Sequence, residues 1–104
     1  METKKALITW THPVHLHKKL PVGIKYFPHI VREDDMKQMH WSIQFFITEA
    51  NKNMQGIIEL TMLIDNYETR EFFKTLTPGK KFTLFEGGAE VATGYIVSDM
   101  QNIT

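Results

Sequence analysis

Between His40 and Thr48, apolar side chains fall on every second position. Trp41, Ile43, Phe45 and Ile47 share one face; Ser42 and Gln44 share the other, with Phe46 beside them. A period of two belongs to a strand, whose successive side chains point to opposite sides. The same texture recurs in short runs separated by turn signals, which predicts an all-β sandwich or barrel. In Lys5 to Thr11 the alternating set is Ala6, Ile8 and Trp10. Tyr26 to Arg32 reads as a second strand. Pro28 puts it at an edge or at a strand start, because proline has no N–H to give to a ladder. Gly56 to Ile64 is rich in branched residues and apolar on both faces, which suits a central strand.

The segments between these runs have their own signals. His12 to Gly23 carries Pro13 and Pro21 and no clean period, so it reads as a long loop. Glu33-Asp34-Asp35 and Asn51-Lys52-Asn53 read as turns. Asp65 to Leu76 is the single helical candidate. Asp65 is the expected cap, with Glu68 reaching back three residues later as a capping box. Phe72, Phe73 and Leu76 would then face inward, and Thr77-Pro78-Gly79 ends the short helix. Lys81 to Glu86 and Glu90 to Ser98 form a hairpin across Gly87-Gly88, where glycine supplies the positive φ angles that a tight reversal needs. Gly94 within the return strand predicts a bulge or a sharp bend. Asp99 to Thr104 reads as a polar tail.

Composition bounds what such a chain does. At 104 residues it is one domain, 1–104. Its 42% hydrophobic and 23% charged residues are those of a folded protein, not a disordered one. Twelve Lys and Arg offset twelve Asp and Glu, so the basic excess common in nucleic-acid modules is missing. The absence of cysteine excludes disulfides, thiolate metal sites and cysteine nucleophiles. No apolar run approaches the roughly 20 residues of a membrane span. Met1 to Lys5 leads only into Ala6-Leu7-Ile8, too short for a signal-peptide core. The expectation is a cytoplasmic protein without membrane contact.

At the C-terminal hairpin, the stretch from Pro78 through Phe82-Thr83-Leu84-Phe85-Glu86-Gly87-Gly88 to Val91, Gly94 and Ile96 resembles the last hairpin of elongation factor Tu domain 3. That family has a Phe-x-Ile/Leu strand, Arg-Glu-Gly-Gly-Arg, a Val, a spaced Gly and two apolar residues. Upstream, Lys25-Tyr26-Phe27-Pro28-His29-Ile30-Val31 is similar to the family's Gly-Tyr-Arg-Pro-Gln-Phe-x-Phe strand. The likeness spans nearly the whole chain at low identity. It implies a small closed Greek-key β-barrel of about six strands, to which the helix above adds one short helical turn. It does not carry over GTP hydrolysis, because no Gly-x-x-x-x-Gly-Lys-Ser/Thr loop is present to cradle phosphates. It does imply that Glu86 and Gly87 match residues of the family that lie against the acceptor arm of transfer RNA. Three family arginines of that surface are Phe27, Phe85 and Ala89 here, which removes cations that phosphate contact uses.

Those replacements shape the functional expectation. Tyr26, Phe27, Phe85, Glu86, Gly87 and Gly88 are the candidate binding residues, with Phe46 and Tyr95 as further aromatics. Exposed aromatic clusters mark protein interfaces; buried ones are core. The first reading is a non-catalytic module without a cofactor that binds a protein partner or itself. The second is binding of RNA through Lys18, Lys19, Lys25, Lys80 and Lys81. The third is a small metal-dependent enzyme on His12, His15 and His17, whose spacing is not a known metal motif and reads more simply as a polar loop. Glu33-Asp34-Asp35 lacks calcium-loop spacing, and no Gly-x-Ser-x-Gly elbow surrounds any serine. No catalytic residue is expected.

Overall fold

The computed structural model describes residues 3–11, 25–50 and 54–100. The loop expected at His12 to Gly23, the turn at Asn51 to Asn53 and the final residues 101–104 lie outside them. Seven strands and one helix follow in order: β1 (Thr3–Trp10), β2 (Lys25–Tyr26), β3 (His29–Arg32), β4 (Trp41–Ala50), β5 (Gln55–Met62), α1 (Tyr67–Lys74), β6 (Lys81–Glu86) and β7 (Ala89–Met100). Among the described residues no helix is long and apolar enough to cross a membrane.

All strands belong to one antiparallel sheet in the order β2-β4-β3-β6-β7-β1-β5, and β4 also pairs with β5. The sheet therefore closes on itself as a ring. Closure leaves one face of every strand pointing inward, and the inward residues are the alternating sets of the sequence. Ala6, Ile8, Ile30, Ile43, Phe45, Ile47, Ile58, Leu60, Phe82, Leu84, Val91, Ala92 and Ile96 form a continuous buried core. β5 alternates strictly, with Gly56, Ile58, Leu60 and Met62 buried. It stops at Met62, so Leu63 and Ile64, expected within the strand, lie outside it at 47% and 56% exposure.

The second expected strand is two short ones. β2 pairs with β4 at Tyr26↔Phe45 and β3 pairs with β4 at His29↔Ser42. Two residues separate the pairs on each side, so the register is kept across the break. Pro28, which cannot donate, sits in that break and gives its carbonyl to the N–H of Ile43 at 3.1 Å.

The helix is found where expected, but its cap moves by one residue. Asn66, not Asp65, accepts from the N–H of Thr69 and returns its own N–H to the Thr69 hydroxyl, each at 2.9 Å. Asp65 instead pairs with Arg70 at 2.6 Å, and that contact holds its carboxyl below the usual range. α1 covers one end of the ring. Phe72 stacks on Trp41 with centroids 4.7 Å apart, and Phe73 and Leu76 are buried in the core.

Gly87 and Gly88 have φ of 56° and 84° and join the pair Glu86↔Ala89, the positive-φ reversal that a two-residue hairpin uses. Gly94 is not a bulge. The register shifts of β7 fall between Leu84 and Phe85 of β6 and between Lys5 and Ala6 of β1, away from it. Gly94 lies between Ile8 and Phe82, where a Cβ would come within 2.9 Å of one and 3.0 Å of the other and against the carbonyl of Leu7. Close approach of the neighbouring strands excludes a side chain there.

Candidate interaction surface

The kept register decides which way each side chain of the second strand points. Tyr26 is opposite Phe45 and Ile30 opposite Trp41, both inward positions. The alternation then puts Phe27 and His29 outward. Phe27 is 58% exposed. On the other side of β3, His29 is paired with Phe85 of β6, and directly opposed antiparallel residues share a face. Phe85 is half-buried. The ring of His40, at the foot of β4, lies 4.9 Å from that of Phe85 and 5.7 Å from that of His29. Phe27, His29, His40 and Phe85 thus make one aromatic outer face, flanked by Lys25, of the same parity as Phe27, and by Glu90, opposite Phe85.

Tyr26 is separated from this face by the same alternation. Its ring stacks on Phe45 at 5.2 Å and meets Trp10 edge-on at 6.1 Å, so it closes the end of the ring opposite α1. Burial, and then the nearby charge of Glu86, push its hydroxyl pKa up. Glu86 and the Gly87-Gly88 turn are therefore on the rim above Tyr26, beside Phe85 in the chain. The turn glycines are exposed, and a Cβ built on either meets open space. Phe27, Phe85, Glu86, Gly87 and Gly88 are brought to one side of the molecule; Tyr26 backs them from inside. Tyr95, 43% exposed, is opposite Lys81, at the far end of β6 from Phe85.

Among the described residues, the lysines proposed for RNA do not gather at one place. Lys25 is opposite Phe46 at the start of β2, whereas Lys81 is beside Glu33 at the other end of the wall. At about 3.3 Å per residue that separation is roughly 20 Å or more. Lys80 is held by Asp34 at 2.7 Å, and this hydrogen bond keeps the Asp34 carboxyl below its usual range. Lys18, Lys19, His12, His15 and His17 lie outside the described residues. In an open groove of about 480 Å3 beside Glu33, Asp34, Pro78, Lys80 and Lys81, Lys80 and Asp34 are paired with each other. Among the described residues no group of three His, Asp or Glu comes together to hold a metal.

His29 and His40 carry this surface as much as the phenylalanines do, and neither was a sequence candidate. A signal existed for His29, which shares the parity of Phe27 in the same run. None existed for His40, which joins the face through tertiary contact. Comparison with protein-family models and with curated proteins finds no match for this chain.

Proposed function

We propose that the chain is a non-catalytic binding module, a small closed Greek-key barrel related to elongation factor Tu domain 3, that docks a protein partner through Phe27 and Phe85. Three consecutive strands, β3, β4 and β5, are neighbours, and β6 returns after α1 to lie beside β3. This spatial order supports the Greek-key reading. The positive-φ turn at Gly87-Gly88 and the Tyr-x-Pro strand support the family.

The exposure of Phe27 carries the docking reading. A phenyl ring that is 58% exposed, at the break between β2 and β3 with the core beneath it, leaves apolar area in water that a partner would cover. The aromatic neighbours, His29, His40 and Phe85, extend it into a patch. Aromatic anchors of this kind carry most of the energy of protein interfaces. The separation of the lysines weighs against structured RNA as the partner.

The test is a pull-down from cell extract with the wild-type chain and with Phe27→Glu and Phe85→Glu. The expected result is a protein retained by wild type and reduced at least about tenfold by either substitution, because each introduces an unpaired charge into the contact. Equal recovery with both variants would overturn the reading. Salt-dependent affinity for structured RNA that both variants retain would replace it.

A further inference from the structure

We propose that His29 and His40 form half of a binding site for a divalent transition-metal ion of the zinc class, and that the same two residues of a second copy of this chain complete it. Imidazole nitrogen binds zinc, nickel and copper, with a metal–nitrogen distance of about 2.0–2.1 Å for zinc. With the radius of the ring added, each centroid stands about 3.2 Å from a shared ion, so two tetrahedral ligands have centroids about 5.2 Å apart. The rings of His29 and His40 are 5.7 Å apart and cross at 85°. The remaining half ångström takes a rotation of roughly ten degrees in χ1, and the soft χ2 torsion lets each ring turn a nitrogen toward one point.

The backbone that carries the two rings is anchored. His29 is paired on both sides, with Ser42 and with Phe85. The segment leading to His40 is tied by Asp35, whose carboxylate accepts from the N–H of Lys37 at 2.9 Å and of Met39 at 3.0 Å. Phe85 backs the His40 ring. Both histidines are exposed, so an ion reaches them without any opening of the fold.

Two ligands leave zinc incomplete, since its structural sites take four. Among the described residues no third His, Asp or Glu joins the pair. A two-fold axis through the ion supplies the other two, because an isologous contact presents the same patch from both sides. Formal net charge is zero, so no overall repulsion opposes the approach. The contact also brings Phe27 of each copy toward cover. This inference rests on the docking reading above in using the same face, but it is decided by the histidines.

Zinc is added to the full chain carrying His12→Ala, His15→Ala and His17→Ala, with mass followed by light scattering and stoichiometry by calorimetry. The expected result is a doubling of mass at one ion per two chains, reversed by EDTA. His29→Ala and His40→Ala, each added to that background, should weaken zinc binding at least about 100-fold and abolish the doubling. Their thermal melts in EDTA should be unchanged, because both side chains are on the surface. A mass that zinc does not change, one ion bound per single chain, or doubling that survives His29→Ala with His40→Ala would overturn the inference. If zinc does nothing while Phe27→Glu still blocks capture of a partner, the shared ion falls and the docking surface stands. If neither has an effect, both fall.

Discussion

Lys4 carries a charge into the interior. It is 4% exposed, and its ammonium donates to the carbonyls of Phe73 at 2.6 Å and Leu76 at 2.8 Å. It also sits 4.6 Å from the centre of the Phe73 ring. Phe73 is in the last turn of α1 and Leu76 lies just past it, where the peptide dipoles converge negative; the Phe73 carbonyl also accepts the N–H of Leu76 at 3.1 Å. A cation there satisfies two acceptors at once and ties the helix to β1. Lys4→Met keeps the aliphatic stem but takes the ammonium from the Leu76 carbonyl and leaves the Phe73 carbonyl only its backbone bond, and should lower stability by about 1–3 kcal/mol in urea unfolding. A loss within about 0.5 kcal/mol, the size of an ordinary surface change, would show that water replaces the ammonium. Lys4 has the same parity as Ala6, Ile8 and Trp10, so its direction was legible. Its charge argued for solvent, and the acceptors that reverse the argument are some seventy positions away. Phe27 was ambiguous for the opposite reason: a large aromatic in a strand is equally at home on either face until the register is known.

At the scale of elements, α1 depends on Asn66. Removing the side chain leaves the N–H of Thr69 without its acceptor, so Asn66→Ala should cost about 1 kcal/mol in the same unfolding measurement. Asp65→Ala, which breaks only an exposed pair with Arg70, should be nearly silent. Equal losses in the two variants would return the cap to Asp65. The sequence pattern could not choose between them, since Asp and Asn are equally good caps and each is followed three residues later by a residue able to reach back. Strand existence was legible from alternation in β1, β4 and β6, and from branched residues in β5. Strand ends were not. Leu63 still gives its N–H to the Ser42 carbonyl, but it and Ile64 lie exposed beyond the strand, because an apolar run does not mark where a strand leaves the core.

For the whole molecule, β1 is the element that closes the ring: it lies between β5 and β7 and pairs with both along its length. Deleting residues 1–11 opens two long edges and removes Ala6, Ile8 and Trp10 from the core. The shortened chain should lose its cooperative thermal transition and form aggregates visible by light scattering, as exposed edges do. A retained cooperative melt would mean that β5 and β7 can pair directly. The all-β character and the final hairpin were legible because they are local. The ring was expected only through the resemblance to elongation factor Tu domain 3, because Lys4 faces Leu60 on one side and Asp99 on the other, and no short-range pattern encodes partners so distant. The same arrangement sets a problem of timing during synthesis. The ribosome releases β1 first and β7 last; at roughly 5–20 residues per second, that strand waits about 5–20 seconds for its second neighbour. Until then β1 has only β5 beside it and the ring stays open, which leaves an unpaired strand edge exposed to association during synthesis.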